Sequence, residues 1–171
     1  MNKLGVESVR LKLISLTIKE LVYIETKEYS KLQFNIEEDA LLDKTRIAIA
    51  KKIDKMKNIN VNLHEWYTYW LIINKANNNG IGFIGFKGIP DEKGLSEVGY
   101  NISSNYRRLG YMTEALNMLV DWASSYSETT GITACKVLKT NIGSNKVLNK
   151  CNFKIINATE EYNNYLYEFV R

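Results

Sequence analysis

The spacing of hydrophobic and polar residues changes several times along the chain, and each spacing predicts a type of element. In residues 9–15, VRLKLIS, apolar and basic side chains alternate, which predicts a half-buried strand. Thr17 and Glu20 follow with the spacing of a capping box, so a helix is predicted to begin there. A second helix is predicted over residues 37–57, with a break inside it because the apolar spacing is imperfect. Its predicted core positions are Leu41, Leu42, Ile47, Ile49 and Ile53.

The middle of the chain has the composition of β-structure. Residues 66–74, WYTYWLIIN, and residues 81–86, IGFIGF, are rich in aromatic and β-branched side chains, which favour strands. The dipeptide Asn79-Gly80 between them is typical of a hairpin turn, so the two strands are predicted to be antiparallel and joined there. A further strand is predicted over residues 96–103, SEVGYNIS, from its alternation.

The second half of the chain alternates helices and strands. The predicted elements are a helix from Thr113, a strand over 131–139, a short helix over 144–151, and two strands over 153–157 and 165–170. Strands that alternate with helices in only one half of a chain indicate a mixed sheet in an α/β or α+β arrangement. No internal repeat or interdomain linker is visible, so residues 1–171 are predicted to form a single domain.

Composition and charge narrow the class of protein. Of 171 residues, 45% are hydrophobic and 25% charged, which is ordinary for a globular protein and argues against disorder. A net charge of +4 is too small for a dedicated nucleic-acid-binding protein. Cys135, Cys151 and the single histidine, His64, are too few to build a structural metal site. The N-terminus lacks the apolar core of a signal peptide, and no apolar run reaches the roughly 20 residues that cross a bilayer. We therefore expect a cytoplasmic protein.

The stretch NYRRLGYMTEAL, residues 105–116, places two arginines and a glycine just before a helix. It is either a simple turn or a binding site for an anion. A helix start offers unpaired N–H groups and a partial positive charge, which suit a phosphate. Gly110 lets the backbone approach such an anion closely, and Arg107 and Arg108 add charge. The further glycines of a dinucleotide-binding loop and a GxxxxGK[ST] loop are both missing.

Within this stretch, RRLGYM resembles the Q/R-x-x-G-x-G/A motif of the GNAT acyl-CoA N-acyltransferases. The longer run YRRLGYMTEAL is similar to the branch that includes ribosomal-protein N-terminal acetyltransferases. Residues 141–154, NIGSNKVLNKCNFK, resemble that branch's N-x-x-S-x-x-V-L-x-K-x-G-F element, and residues 10–17, RLKLISLT, resemble its opening strand. The resemblance covers nearly the whole chain. It implies the GNAT fold, a mixed, mostly antiparallel sheet of about seven strands flanked by helices.

The resemblance also implies a coenzyme A site. The backbone of residues 107–113 would hold the pyrophosphate, and the strand at residues 100–102 would pair with the pantetheine arm. Asn141 and Ser144 would line the other side of the cleft. The cofactor-binding residues implied are Tyr100, Asn101, Ile102, Arg107, Arg108, Leu109, Gly110, Tyr111, Met112, Thr113, Asn141 and Ser144.

The chain departs from the family's pattern at three positions. Met112 stands where the family usually has Gly or Ala, but its backbone N–H remains. Asn152 replaces the usual Gly before Phe153, and asparagine tolerates the left-handed conformation that ends a helix. Leu148 stands where many members have a tyrosine that protonates the leaving thiolate, so that role is empty here.

Two side chains are candidates for proton transfer. Ser144 is the replacement acid that the motif suggests, although a serine at this point is also favoured as the N-cap of a helix. Glu97 lies on the strand leading to the cofactor, where several family members carry a carboxylate that receives the amine proton through water. Its alternative role is an exposed strand residue. Structural roles are expected for His64, Cys151, Tyr165 and Tyr167.

The resemblance implies an N-acetyltransferase that moves an acetyl group directly from acetyl-CoA, its co-substrate, to a primary amine, with no metal. The acceptor is a protein N-terminus or a small-molecule amine, such as a polyamine, an amino acid or an antibiotic. Because Leu148 leaves the acid role empty, a non-catalytic acyl-CoA binding or sensing module is the alternative. A third interpretation is a nucleotide- or RNA-binding domain that contacts phosphate through Arg107 and Arg108. The expected partners are acetyl-CoA and the amine, with no nucleic acid and no membrane, and a homodimer is one option for assembly.

Overall fold

A computed structural model describes residues 5–170. The strands are β1 (Gly5–Glu7), β2 (Leu11–Ser15), β3 (Asn35–Ile36), β4 (Trp70–Asn74), β5 (Asn79–Phe86), β6 (Leu95–Ile102), β7 (Gly131–Leu138), β8 (Lys154–Ala158) and β9 (Tyr162–Glu168). The α-helices are α1 (Ile18–Glu25), α2 (Asp43–Met56), α3 (His64–Tyr67), α4 (Tyr111–Ser124) and α5 (Ile142–Lys150). Within residues 5–170, no helix is long and apolar enough to cross a membrane.

The strands form one mixed sheet in the order β1-β2-β4-β5-β6-β7-β9-β8, with β3 paired to the start of β5. All neighbours are antiparallel except β6–β7 and β3–β5. This confirms the predicted mixed, mostly antiparallel sheet. Residues 5–170 form nine strands where about seven were predicted, because β1 and β3 are only three and two residues long and show no readable alternation.

Local signals near the N-terminus are mostly confirmed. The Glu20 N–H donates to the Thr17 hydroxyl at 3.2 Å and the Thr17 N–H donates to the Glu20 carboxylate at 2.9 Å, which completes the predicted capping box. The predicted break in the second helix lies between a 3₁₀ turn at Glu38–Ala40 and the start of α2. Val9, predicted as a strand residue, is instead 92% exposed in the turn between β1 and β2.

Two predicted core positions of the second helix are wrong. Leu42 is 55% exposed because it is the N-cap residue of α2, outside the helical stripe. Ile47 is 58% exposed because the buried face of α2 runs through Thr45, Ile49 and Ile53, which leaves Ile47 on the opposite side.

The predicted hairpin is present, with shifted boundaries. The first strand begins at Trp70 rather than at residue 66, because residues 64–67 form the short helix α3. Asn79 already pairs with Asn74 inside the ladder, and the turn is residues 75–78. Asn78, with φ 56°, takes the left-handed conformation that the turn requires.

Hydrophobic side chains are buried on both faces of the sheet. Helices α1 and α2 cover one face, where Leu21, Ile24, Ile49 and Phe83 pack together. Helices α4 and α5 cover the other face, whose core includes a cluster of aromatic rings. In this cluster, the centroid of the Trp122 ring lies 4.8 Å from that of Trp66 and 5.1 Å from that of Trp70. The sheet is therefore a fixed layer between two cores, and strand β6 lies near its middle.

Candidate functional site

Strands β6 and β7 separate partway along their length. They pair only between Leu95–Glu97 and Gly131–Thr133. Beyond Glu97, β6 continues to pair with β5, while β7 pairs with β9 on its other side. A cleft therefore opens between the second half of β6 and the second half of β7.

The edge of β6 that faces this cleft pairs with no strand of the described chain beyond Glu97, and its Ile102 carbonyl accepts one side-chain hydrogen bond, from Arg107 Nε at 3.4 Å. The Glu97 carbonyl accepts from the Lys87 N–H at 2.9 Å, and the Ser103 N–H donates to the Ile81 carbonyl at 2.8 Å. The N–H and C=O of one strand residue point to the same side of the strand, and that side alternates from each residue to the next. Because the odd-numbered residues Glu97 and Ser103 bond toward β5, the backbone groups of the even-numbered residues point away from β5. The N–H and C=O of Tyr100 and Ile102 therefore face the cleft, where no strand of the described chain pairs with them.

Asn101, predicted with these two residues, has a different position. Its backbone groups point to β5, and its side-chain amide donates to the Ala40 carbonyl at 2.8 Å and to the Thr45 hydroxyl at 3.0 Å. It ties β6 to the segment before α2 and to α2 itself. Asn101 thus supports the strand from the face of the sheet that α2 covers, and its backbone groups do not line the cleft.

The loop at residues 107–110 leads from β6 to the start of α4. Arg108 and Gly110 both have positive φ, 62° and 82°, a combination that turns successive N–H groups toward one side. No side chain in the described part of the protein caps α4, and its first helical bond runs from the Glu114 N–H to the Gly110 carbonyl at 3.0 Å. The helix begins at Tyr111, two residues before the predicted start. The Met112 side chain is buried in the core, so it does not occupy the space in front of the loop.

A network of polar contacts holds this loop from behind. Arg10, between β1 and β2, donates from Nε to the Glu114 carboxylate at 2.7 Å and from Nη1 to the Leu109 carbonyl at 2.9 Å. Its guanidinium also lies over the Tyr111 ring, 4.3 Å from the centroid. Ser8 donates a further hydrogen bond to Glu114. The sequence analysis missed these residues, because Arg10 and Glu114 are 104 positions apart and neither carries a local motif for the contact.

Hydrogen bonds also set the charge of Glu114. Burial would raise the pKa of this carboxyl, but the hydrogen bonds from Ser8 and Arg10 outweigh burial and hold the pKa below its ordinary value. Glu114 is therefore ionised at neutral pH, and Arg10 is fixed against the first turn of α4.

The opposite wall of the cleft is the start of α5. Asn141 is the N-cap of this helix, and its side chain accepts from the Ser144 N–H at 3.1 Å. The interpretation of Ser144 as the N-cap is wrong, because Asn141 accepts that hydrogen bond three residues earlier. The Tyr100 hydroxyl reaches across from β6 to the Ser144 carbonyl at 3.4 Å. Burial raises the pKa of the Tyr100 phenol, so it stays protonated.

The interior side of α5 is apolar. Leu148, which stands where many members of the resembled family have a tyrosine, is fully buried in the core. Cys151 is buried as predicted, and burial raises the pKa of its thiol to about 11, which makes it a poor nucleophile. Asn152 ends the helix with φ 64°, the left-handed conformation expected of it.

Glu97 lies at the apex of the cleft, where the last β6–β7 pair forms. Its carboxylate is half-buried and forms an ion pair with Lys87.

The other polar candidates have structural partners, as predicted. His64 Nε2 contacts the Ile59 carbonyl at 3.1 Å, the buried Tyr165 donates to Asn145 at 2.6 Å, and Tyr167 packs on Phe153 and Phe169.

Comparison with known proteins connects this geometry to a family. The model of the acetyltransferase (GNAT) domain matches residues 13–154. The uncharacterized N-acetyltransferase YjdG of Bacillus subtilis is 38% identical over 98 residues, which are 57% of this chain and 58% of that protein. The match thus spans little more than half of the curated relative.

Solved structures share the fold. The ribosomal L7/L12 alpha-N-protein acetyltransferase RimL superposes with a TM-score of 0.69 at 15% identity, over 98% of this chain and 95% of that chain. The microcin C7 self-immunity acetyltransferase MccE, solved with acetyl-CoA and AMP, superposes with a TM-score of 0.64 at 16% identity, over 95% and 94%. The fold is that of the GNAT acetyltransferases, and the family model covers most of the chain, so this protein belongs to the GNAT acetyltransferase family.

Proposed function

We propose that the protein is an acetyl-CoA-dependent N-acetyltransferase that moves the acetyl group directly to a primary amine, either a protein N-terminus or a small molecule. One observation carries the proposal: the edge of β6 at Tyr100 and Ile102, with which no strand of the described chain pairs, leads into the uncapped start of α4. An extended, amide-bearing arm that ends in a pyrophosphate matches this arrangement, because the edge pairs with amides and the helix start attracts phosphate. MccE, a family member by fold, binds acetyl-CoA.

The two ends of this arrangement have different roles. The main-chain N–H groups of residues 107–113 would hold the pyrophosphate, and Arg107 and Arg108, both exposed at the mouth, would add charge. Asn141 and Ser144 would face the arm from the other wall. Bound acetyl-CoA supplies the activated acetyl thioester.

Transfer requires two proton movements. The amine must lose a proton as its nitrogen bonds to the acetyl carbon, and Glu97 at the cleft apex would accept that proton through water. The sulfur must gain a proton as the carbon–sulfur bond breaks, and Ser144 would supply it, with the proton replaced from solvent.

Calorimetry and thiol release test the proposal in two stages. Acetyl-CoA should bind and ATP should not, and release of free coenzyme A thiol should depend on an added amine. Glu97→Gln should lower kcat about 100-fold while the KM for acetyl-CoA is unchanged. Glu92→Gln, in the exposed loop before β6, is the matched control and should change neither constant. Absence of acetyl-CoA binding would overturn the proposal.

A second function is favoured by one observation. Leu148 places no hydroxyl at the position of the usual acid and is sealed in the core. A protein that binds acyl-CoA as a sensor would need no proton donor there. Tight acetyl-CoA binding with no turnover on any amine would favour the sensor over the enzyme.

A further inference from the structure

A cavity of about 470 Å³ lies on the other face of the sheet from α4, between helix α2, the tyrosines just before β4, and strands β5 and β6. Cavities of roughly 300–1,000 Å³ are the size that holds small molecules. Tyr67 and Tyr69 supply aromatic surface, and Gly85 and Gly99 form part of the wall along the sheet. The cavity is therefore large enough for a small acceptor and is not part of the cofactor cleft described above.

The cavity meets the cofactor cleft at Gly99. Gly99 pairs with Gly85 across β5 and β6, and it lies two residues after Glu97, where β6 and β7 last pair. A Cβ placed on Gly99 would meet no atom within 4 Å, so the space above this residue is open. A molecule in the cavity can thus present one end at the apex of the cleft, beside the Glu97 carboxylate.

The lining of the cavity is strongly cationic. Its charged residues are Lys44, Lys51, Lys52, Lys55, Lys87 and Asp54. Lys44, Lys51 and Lys55 follow one another on α2 at intervals of seven and four residues, which puts them on one stripe of the helix.

These charges are not neutralised equally. The Asp54 carboxylate is 3.1 Å from the Lys57 ammonium, and Lys87 is paired with Glu97. Lys44, Lys51 and Lys55 form no ion pair with another residue of the described chain. The cavity therefore holds an excess of positive charge that a bound anion would balance.

Lys52 is the innermost of these cations. Its ammonium donates to the Phe86 carbonyl at 2.7 Å and to the Tyr67 carbonyl at 2.9 Å, and it lies 4.5 Å from the centroid of the Tyr69 ring. An ammonium has three N–H donors, so one direction remains after these two bonds. Burial, followed by the positive charges of Lys55 and Lys87, lowers the pKa of Lys52 to about 7. A negative group in the cavity would favour its charged form.

We propose that the amine acceptor is a small molecule that carries a carboxylate or a phosphate, and that the lysine stripe of α2 holds this anion while the amine points past Gly99 to the cleft. The inference rests on the proposed acetyl transfer and names the class of its acceptor. Polyamines and polycationic antibiotics are excluded as acceptors, because their additional ammonium groups would lie among like charges. The shared chemistry is an amine and an anion separated by a short chain.

The test compares matched acceptors in the thiol-release assay. The acceptors are 4-aminobutyrate, with a carboxylate, 2-aminoethyl phosphate, with a phosphate, their counterparts without an anionic group, butylamine and ethanolamine, the diamine putrescine, and C-terminally amidated peptides with an acidic second residue. The kcat/KM of at least one amine that carries an anion should exceed that of its anion-free counterpart by tenfold or more and should fall as salt rises. Comparing 4-aminobutyrate with 2-aminoethyl phosphate identifies whether the cavity binds a carboxylate or a phosphate.

Variants connect that preference to the cavity. The double variant Lys51→Gln, Lys55→Gln should raise the KM for the anionic amine at least tenfold and leave the KM for acetyl-CoA unchanged. Lys154→Gln, an exposed lysine on the distant strand β8, is the control and should change neither. Equal activity on the anion-free amines or putrescine, acetylation of peptides alone, or a double variant that matches wild type would each overturn the proposal.

Direct binding separates this inference from the catalytic one. Titration of 2-aminoethyl phosphate and 4-aminobutyrate into the protein without acetyl-CoA measures the cavity alone. Binding that the double variant loses, with no turnover, would contradict acetyl transfer and support the anion site. Turnover of anion-free amines with a kcat/KM equal to that of the amines that carry an anion would support acetyl transfer and contradict the anion site. Neither binding nor turnover would overturn both.

Discussion

Removing the Arg10 guanidinium should loosen the loop proposed to hold the pyrophosphate. Arg10→Ala deletes the side-chain donors to Glu114 and to the Leu109 carbonyl and the contact with the Tyr111 ring. The loop would keep the weak Arg107 bond to the Ile102 carbonyl and the packing of Tyr111 on Tyr106, but it would lose its strongest polar contacts. We therefore expect Arg10 to act on coenzyme A binding without touching it, as a positioning residue.

The size of the effect follows from the burial of the network. Hydrogen bonds to charged groups contribute about 1.5–3 kcal/mol when buried, whereas exposed ion pairs contribute about 0–1 kcal/mol. The Arg10 and Glu114 side chains are 41% and 20% exposed, which lies between these limits. We expect the free energy of unfolding to fall by about 1.5 kcal/mol and Tm by about 3–6 °C. Acetyl-CoA affinity should fall roughly tenfold, or about 1.4 kcal/mol.

Thermal unfolding and titration calorimetry with acetyl-CoA measure the two effects separately. Arg10→Lys keeps a charge beside Glu114 but cannot contact the Leu109 carbonyl and the Tyr111 ring together, so it should recover stability more than affinity. Lys12→Ala, which removes an exposed pair with Glu7 at 3.6 Å, is the control and should cost less than about 0.5 kcal/mol. If Arg10→Ala lowers Tm but binds acetyl-CoA as tightly as wild type, the network only tethers the two segments and the reasoning is refuted.

Three further changes test separate parts of the structure. Gly110→Ala forces a side chain into φ 82° and should cost about 1 kcal/mol of unfolding free energy in urea; an unchanged midpoint would contradict the left-handed turn. Leu148→Ala should cost about 2–4 kcal/mol, and Leu148→Met less than about 1.5 kcal/mol, in the same assay; equal losses would contradict tight packing there. For Lys52, burial lowers the pKa in the folded protein to about 7 from 10.5, so the unfolded chain binds the extra proton between these values and stability should rise with pH across that window. Lys52→Met should remove that rise, and an unchanged slope would show that another group causes it.

Features encoded within a few residues were predictable from the sequence. The capping box at Thr17, the existence of the hairpin after Trp70 and the left-handed Asn152 each depend on neighbours in the chain. The hairpin's turn was misplaced by sequence because Asn78 and Asn79 are equally suited to positive φ, and only strand pairing decides between them.

Features that depend on distant residues were not predictable. Arg10 and Glu114 meet only because β2 packs beside α4, and Arg10 in isolation resembles any surface arginine of a strand. The exposure of Ile47 depends on which stripe of α2 the sheet covers. The lysine stripe could have been found from its helical spacing alone, but its relation to the cleft required the position of Gly99 in the sheet.

Strand β6 could serve both proposed sites. Its even-numbered residues, Tyr100 and Ile102, turn their backbone groups into the cleft, while the alternate residues Glu97, Gly99 and Asn101 turn their side-chain positions toward α2. In the proposed arrangement, the cofactor pairs with the edge of the strand and the acceptor lies against its face. The two directions meet where β7 leaves β6, and a side chain at Gly99 would stand between them. Gly99→Leu should therefore block the acceptor while acetyl-CoA still binds, and loss of both together would show that the two sites are not separated by this strand.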